Sequence, residues 1–242
     1  MERTIFKIGK IESNKILIHH HLGLGDTIIC NGLINYLTNY KGFKCYLPVK
    51  NNNYEMINYL YKDNKKLKTF KISNENRDFA INNYSIENNL QILKVGFEKT
   101  KNHNFNTHFY HQLYLPYRYS YKYFYLPEDP IKSEELKKYH LEKYNVKNDK
   151  YVLIHSESSL KNYNLKITTE HIKIFVEKKT DIFNNIFLYK ELILGAEEVH
   201  CINGSFLHLV DRVNSKSKLY YHNVRRNNLF LSKKWKWIEY EI

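Results

Sequence analysis

The apolar residues of this chain fall into short runs separated by polar turns, and the period changes from run to run. Residues 15–19 (KILIH) make a continuous apolar stretch of strand length. A glycine-bearing turn at 22–25 follows, and over 26–40 Ile28, Ile29, Leu33, Ile34 and Leu37 recur at helical spacing until Gly42 stops the pattern. The predicted unit is strand, glycine turn, helix. Strands at 43–49 and 67–72, with a helix over 54–61 between them, continue the alternation expected of a parallel α/β sheet. Segment 73–89 is polar, rich in Asn and without a period, and a strand at 90–96 comes after it. Residues 107–115 predict a helix that ends before Pro116, whose ring disfavours helical geometry in the residue preceding it. Pro127 and Pro130 bracket a turn, and 133–144 predicts a helix capped by Ser133, with Glu134 and Glu135 in the first turn, where the helix dipole favours negative charge.

Beyond 145–149 the alternation begins again. A strand at 151–155 (YVLIH) leads into a polar loop at 156–161, followed by a helix at 188–196, a strand at 198–202, a helix at 205–213 and a strand at 218–222. The aromatic alternation around Trp235 and Trp237 predicts a strand or a packed terminal segment. A chain of 242 residues has room for two small lobes. The pattern divides it into a first lobe at 1–145, a second at 146–228, and a tail at 229–242 placed to return to the first lobe.

Composition narrows the class. A hydrophobic fraction of 43% with 15% aromatic residues is that of an ordered core rather than a disordered chain. No apolar run approaches the roughly 20 residues that span a bilayer, and the first ten residues lack the apolar region of a signal peptide. Cys30, Cys45 and Cys201 are far apart and without CxxC spacing, which points to a reducing compartment, so the expected location is cytoplasmic, with membrane contact at most peripheral. The net charge of +13 favours an anionic partner, and 22 tyrosines offer rings for base stacking. The basic residues are nevertheless scattered in ones and twos, and no RNP-like, zinc-finger or helix-turn-helix pattern accompanies them, so nucleic acid is the second reading and not the first.

Chemistry-bearing residues gather at strand ends. Gly23, Gly25 and Asp26, flanked by His21 and Thr27, lie where a strand gives way to a helix, the place at which open α/β sheets bind ligands. There Asp26 serves either as a helix cap or as a general base. Ile28 stands where a dinucleotide fingerprint requires glycine, so NAD is not favoured. His19, His20 and His21 are consecutive and point to alternate faces, which disfavours a shared metal. The chain has no Asp-x-Asp, the usual divalent-metal motif of single-domain sugar transferases, so no metal or other cofactor is expected. Without a metal, an anionic phosphate ligand needs protein cations, hydroxyls and helix amides. Three groups supply them: Asn203, Gly204, Ser205 and His208 at a second strand–turn–helix junction; Ser156, Ser158, Ser159 and Lys161 after strand 151–155; and Arg225 and Arg226 after strand 218–222.

The segment HHHLGLGDTIICNGLINYL near the N-terminus and the segment AEEVHCINGSFLHLVDRV near the C-terminus resemble the two signature regions of GT-B glycosyltransferases related to the bacterial heptosyltransferases, the family 9-like group. That resemblance implies an α/β fold of two Rossmann-like lobes with a cleft between them. It implies a nucleotide-diphosphate sugar as donor in the C-terminal lobe, a glycan or glycolipid acceptor in the N-terminal lobe, and transfer without metal. Asp26 matches the family's glycine-turn aspartate, the proposed base on the acceptor hydroxyl, and Ser205 and His208 match its donor-side hydroxyl and helix histidine. Asn203 departs from the pattern, since the family commonly has Asp there, and the chain is shorter than a typical member. The expected function is therefore metal-independent transfer of a hexosyl or deoxyhexosyl group to a glycan hydroxyl. The alternatives are a non-catalytic nucleic-acid-binding protein and a degenerate fold of the same class that binds without turnover.

Overall fold

A computed structural model describes residues 3–98, 104–158, 161–226, 228–232 and 235–240. Its strands are β1 (Thr4–Ile5), β2 (Lys15–His19), β3 (Lys44–Lys50), β4 (Leu67–Ile72), β5 (Gln91–Lys94), β6 (Tyr151–His155), β7 (Ile172–Phe175), β8 (Glu198–Cys201), β9 (Lys218–Asn223) and β10 (Lys236–Glu239). They form two five-stranded sheets, ordered β1-β5-β2-β3-β4 and β10-β9-β8-β6-β7, in which every pairing is parallel. The helices are α1 (Leu24–Asn35), α2 (Tyr54–Leu60), α3 (Arg77–Glu87), α4 (Phe105–His111), α5 (Tyr119–Lys122), α6 (Pro130–Lys143), α7 (Lys190–Gly195) and α8 (Ser205–Val210). The two-lobed, Rossmann-like α/β architecture expected from the sequence is the one found. Among the described residues no helix is long and apolar enough to cross a membrane.

The chain divides into two compact units, Met1–Pro127 and Glu128–Ile242, a division earlier in the chain than the expected 145. The difference lies in α6. Its Leu136 and His140 are buried, and His140 meets Tyr189 of the second unit with ring centroids 5.5 Å apart. The N-cap of α6 is Asp129, which accepts from the Lys132 amide at 3.1 Å, with Pro130 at the first helical position; Ser133, expected as the cap, lies inside the helix. The tail also differs from expectation. Strand β10 pairs with β9, so the tail extends the second sheet, and buried Trp235 donates its indole N–H to Asp211 at 3.0 Å.

In the first unit β2 carries Ile16, Leu17 and Ile18, all fully buried, as a strand covered on both faces must. One core cluster joins Leu17, Leu22, Ile72, Ile81, Leu90 and Ile92. Helix α1 continues into a π-helical turn at Tyr36–Tyr40 and is gripped by its neighbours. The Tyr110 hydroxyl donates to Ile29 O at 2.8 Å and accepts from the Leu33 amide at 2.9 Å, while Gly32 sits so close to α5 that a Cβ there would lie 2.4 Å from Tyr119 O. Part of the Asn-rich composition is structural. Asn35 donates to Asn31 at 3.1 Å, and Asn64 donates to Asn35 and to Thr38, both at 2.9 Å, in a buried amide ladder beneath α1.

Candidate functional sites at two switch points

A doubly wound sheet opens a crevice at the carboxyl ends of the two strands between which the winding direction reverses. In the first unit the chain winds from β2 through β3 to β4, then returns to lay β5 on the other side of β2. The switch point is therefore the β2–β5 pair, whose carboxyl ends run into His20–Asp26 and Val95–Phe97. In the second unit the chain winds from β6 to β7 and returns with β8 on the other side of β6. That switch point is bordered by Ser156 after β6 and by Asn203, Gly204 and Ser205 after β8.

The turn after β2 is held from several sides. Leu22 is buried in the left-handed region at φ 63°, a costly conformation for a branched side chain, and its amide donates to Nδ1 of His20 at 3.0 Å. Gly23 is the N-cap of α1, and Asp26 at the third helical position accepts from the Gly23 amide at 3.2 Å. A Cβ at Gly23 would meet Oδ2 of Asp26 at 2.5 Å, so a side chain there would push the carboxylate out of its bond to the Gly23 amide. Gly25 occupies the first turn of the same helix, and the Thr27 hydroxyl donates to Gly23 O at 3.0 Å. Asp26 is therefore not the N-cap itself: it is a half-buried carboxylate at the third helical position that accepts from the amide of the N-cap residue Gly23. Burial pushes its pKa up, while the His21 imidazole, the Gly23 N–H and Lys50 at the end of β3 pull it down, and the net shift is upward. His21 reaches across to β5, with Nε2 2.9 Å from Gly96 O. His19 and His20 are buried, and burial first of all lowers them to about 4 and about 3, so both are neutral. Among the described residues no group of three or more His, Cys, Asp or Glu is arranged to hold a metal.

At the second switch point the Ile202 amide donates to His155 O at 3.1 Å, which brings the Asn203–Ser205 turn beside the end of β6. Asn203, Gly204 and Ser205 are half-buried, with Gly204 as N-cap and Ser205 as first residue of α8. Gly204 is extended, and a Cβ there would make only an ordinary 3.5 Å contact with the His155 ring, so this turn does not depend on glycine as the Gly23 turn does. After β6, Glu157 is bridged to Asn162 and the Ser158 hydroxyl donates to Lys161 O at 2.8 Å. Ser156 is half-buried, Lys161 is exposed, and Ser159 lies outside the described residues. Arg225 and Arg226 are exposed just past the carboxyl end of β9, next to β8 in the sheet, and Arg226 takes a left-handed φ of 48°.

His208, grouped by sequence with Ser205 among the donor-side residues, lies in the core instead. It is only 4% exposed, and burial, assisted by Arg212, lowers it to about 3, so it is a neutral core residue and no cation. The reason is that α8 is buried nearly all round: Phe206, Leu207, Leu209 and Val210 are each fully buried. Two residues at the switch points were not singled out by sequence. His155, stacked on Phe206 with ring centroids 5.2 Å apart, and Phe97, packed on His21 at 4.9 Å, both sit at strand ends that read as core-to-loop transitions.

No family model matches the sequence, and no curated protein sequence matches it. Among solved structures the chain is similar to a glycosyl transferase family 9 structure from Veillonella parvula DSM 2008, at 8% identity and a TM-score of 0.54, over 99% of this chain and 87% of that one. That likeness extends over both units and establishes a shared fold.

Proposed function

We propose that this chain is a glycosyltransferase that moves a sugar from a nucleotide-diphosphate donor to a glycan hydroxyl, the first unit taking the acceptor and the second the donor. One observation carries the reading: each sequence turn rich in candidate chemistry, His21–Asp26 and Asn203–Ser205, coincides with the switch point of its own parallel sheet. The fold shared with a family 9 glycosyl transferase supports it.

In this account Asp26 is the base. A carboxylate raised by burial accepts a proton from the acceptor hydroxyl better than an exposed one, because a base works best as its pKa approaches the working pH. Charge growing on the departing diphosphate falls to Ser205, the amides of its turn, Lys161 and the arginines at 225 and 226, so no metal is called for.

The test is a panel of UDP-, GDP-, ADP-, CMP- and dTDP-sugars with purified protein. Turnover of at least one donor, or binding of at least one nucleoside diphosphate, is expected; neither with any member removes the proposal. Replacing Arg225 or Arg226 with Ala should weaken the nucleoside diphosphate by about tenfold or more in at least one variant and leave the nucleoside unchanged, since the lost contact is to phosphate. Equal losses for both ligands would take the arginines out of the site.

A further inference from the structure

We infer that the exposed rings of Phe97 and Phe105, inclined to each other around His21, form an aromatic corner in which a pyranose ring of the acceptor stacks on one ring and packs against the other, with His21 between them as the hydrogen-bonding group at that ring's edge. The inference rests on the acceptor reading of the first unit and adds to it the residues that select the acceptor.

Phe97 is 41% exposed and Phe105 51% exposed. A single exposed aromatic residue needs no explanation, but these two meet on one imidazole. The His21 ring lies 4.9 Å from Phe97, edge to face, and 5.8 Å from Phe105. Beneath them fully buried Phe109 packs on both His21 and Phe105, at 5.3 and 5.4 Å, and fixes the set from the core side. Gly96 is needed for this closeness: it has φ 88°, and a Cβ there would lie 2.7 Å from Phe109 and 3.3 Å from His21.

The polar member of the set is oriented. A carbonyl oxygen only accepts, so His21 donates from Nε2 to Gly96 O, which fixes the orientation of its ring. The same imidazole acts electrostatically on Asp26, which ties the platform to the candidate base. The Lys94 ammonium lies 5.3 Å from the centre of the Phe97 ring. A pyranose has the matching chemistry. Its C–H face carries slight positive charge and stacks on the negative face of an aromatic ring, while its rim of hydroxyls seeks convergent polar groups. An alkyl chain would gain nothing from an imidazole set between the two rings.

The experiment is saturation-transfer NMR on the full chain with the methyl pyranosides of mannose, galactose, glucose and N-acetylglucosamine, each measured with and without nucleosides as competitors. At least one pyranoside is expected to receive saturation, concentrated on the C–H protons of one ring face. Phe97→Leu and Phe105→Leu should each weaken it about threefold, and the double variant about tenfold or more. Phe97→Trp, which keeps a ring, should retain binding, and Tyr114→Leu, an equally drastic change at a 76% exposed ring, should leave it unaltered. No transfer to any pyranoside, equal binding by parent and double variant, or displacement of the bound pyranoside by nucleosides would each overturn the inference. Pyranoside binding that depends on the two rings, without any nucleoside diphosphate binding, upholds the platform and removes the transferase reading. Nucleotide binding and turnover that ignore the double variant do the reverse.

Discussion

In the proposed account Asp26 has two roles, and they separate by substitution. In the capping box it needs only an oxygen that accepts from the Gly23 amide, and as a base it needs a carboxylate. Asp26→Asn keeps the first and loses the second. The expected outcome is a turnover rate lower by about 10²- to 10⁴-fold with an unfolding temperature close to that of the parent, measured by donor consumption and thermal melts on the same samples. Loss of stability in place of activity would make Asp26 a capping-box residue and nothing more. Asp26 was legible in the sequence because a Gly-Asp step after an apolar run announces a strand end. His208 was less so: spacing puts it one turn beyond Ser205, but only packing shows that α8 has no exposed stripe and that this histidine belongs to the core.

At the scale of elements, Gly32 illustrates how packing overrides propensity. Alanine in place of glycine inside a helix ordinarily gains up to about 1 kcal/mol. Here the added methyl would meet the backbone of α5, 2.4 Å from Tyr119 O and 2.9 Å from Ser120 Cα, and backbone cannot swing aside. Overpacking of that kind costs about 1–3 kcal/mol, so Gly32→Ala should lower stability by roughly 1–2 kcal/mol in a urea titration, and a stabilised variant would show that α5 is not held against α1.

The elements also show why some of the fold could be read and some could not. Strands β2 and β6 were legible to the residue because a central parallel strand is buried on both faces and reads as an unbroken apolar run. Strand β7, an edge with only Ile174 buried, left no run to find, and α3 buries only Ile81 and Ser85 of its eleven residues, too few to show a helical period among its asparagines. The start of α6 was misplaced because Asp129-Pro130 suits both a turn and a helix start, and only the Asp129 bond to the Lys132 amide decides.

For the whole molecule the histidines set a limit on acid tolerance. Burial lowers His19, His140, His155 and His222 to about 4, and His20 and His208 to about 3, from an ordinary 6.5. The unfolded chain regains the ordinary value, so below 6.5 it binds more protons than the folded one, and stability falls as pH falls. The contribution is complete above about pH 6.5 and is lost on the way down toward 4 to 3. Near pH 5 unfolding should take up about five protons, and with about 1.4 kcal/mol per pH unit for each, a fold of ordinary stability should be lost between about pH 6 and 4.5. Calorimetry in buffers of different ionisation enthalpy counts those protons; an unfolding free energy that is flat from pH 7 to 4 would contradict the buried, neutral assignments. The sequence displays twelve histidines, but which of them face the core is a property of the folded sheets.

The central claim, that the switch point of the second sheet is a donor site, is tested most directly by mapping backbone amide shifts while UDP, GDP, ADP, CMP and dTDP are titrated in turn against the full chain. The account predicts that one of them perturbs Ser156, Asn203, Gly204, Ser205 and Arg225 together, at the carboxyl edge shared by β6, β8 and β9, and that the matching nucleoside moves them far less. Shifts confined to other parts of the sheets, or none with any of the five, would contradict it.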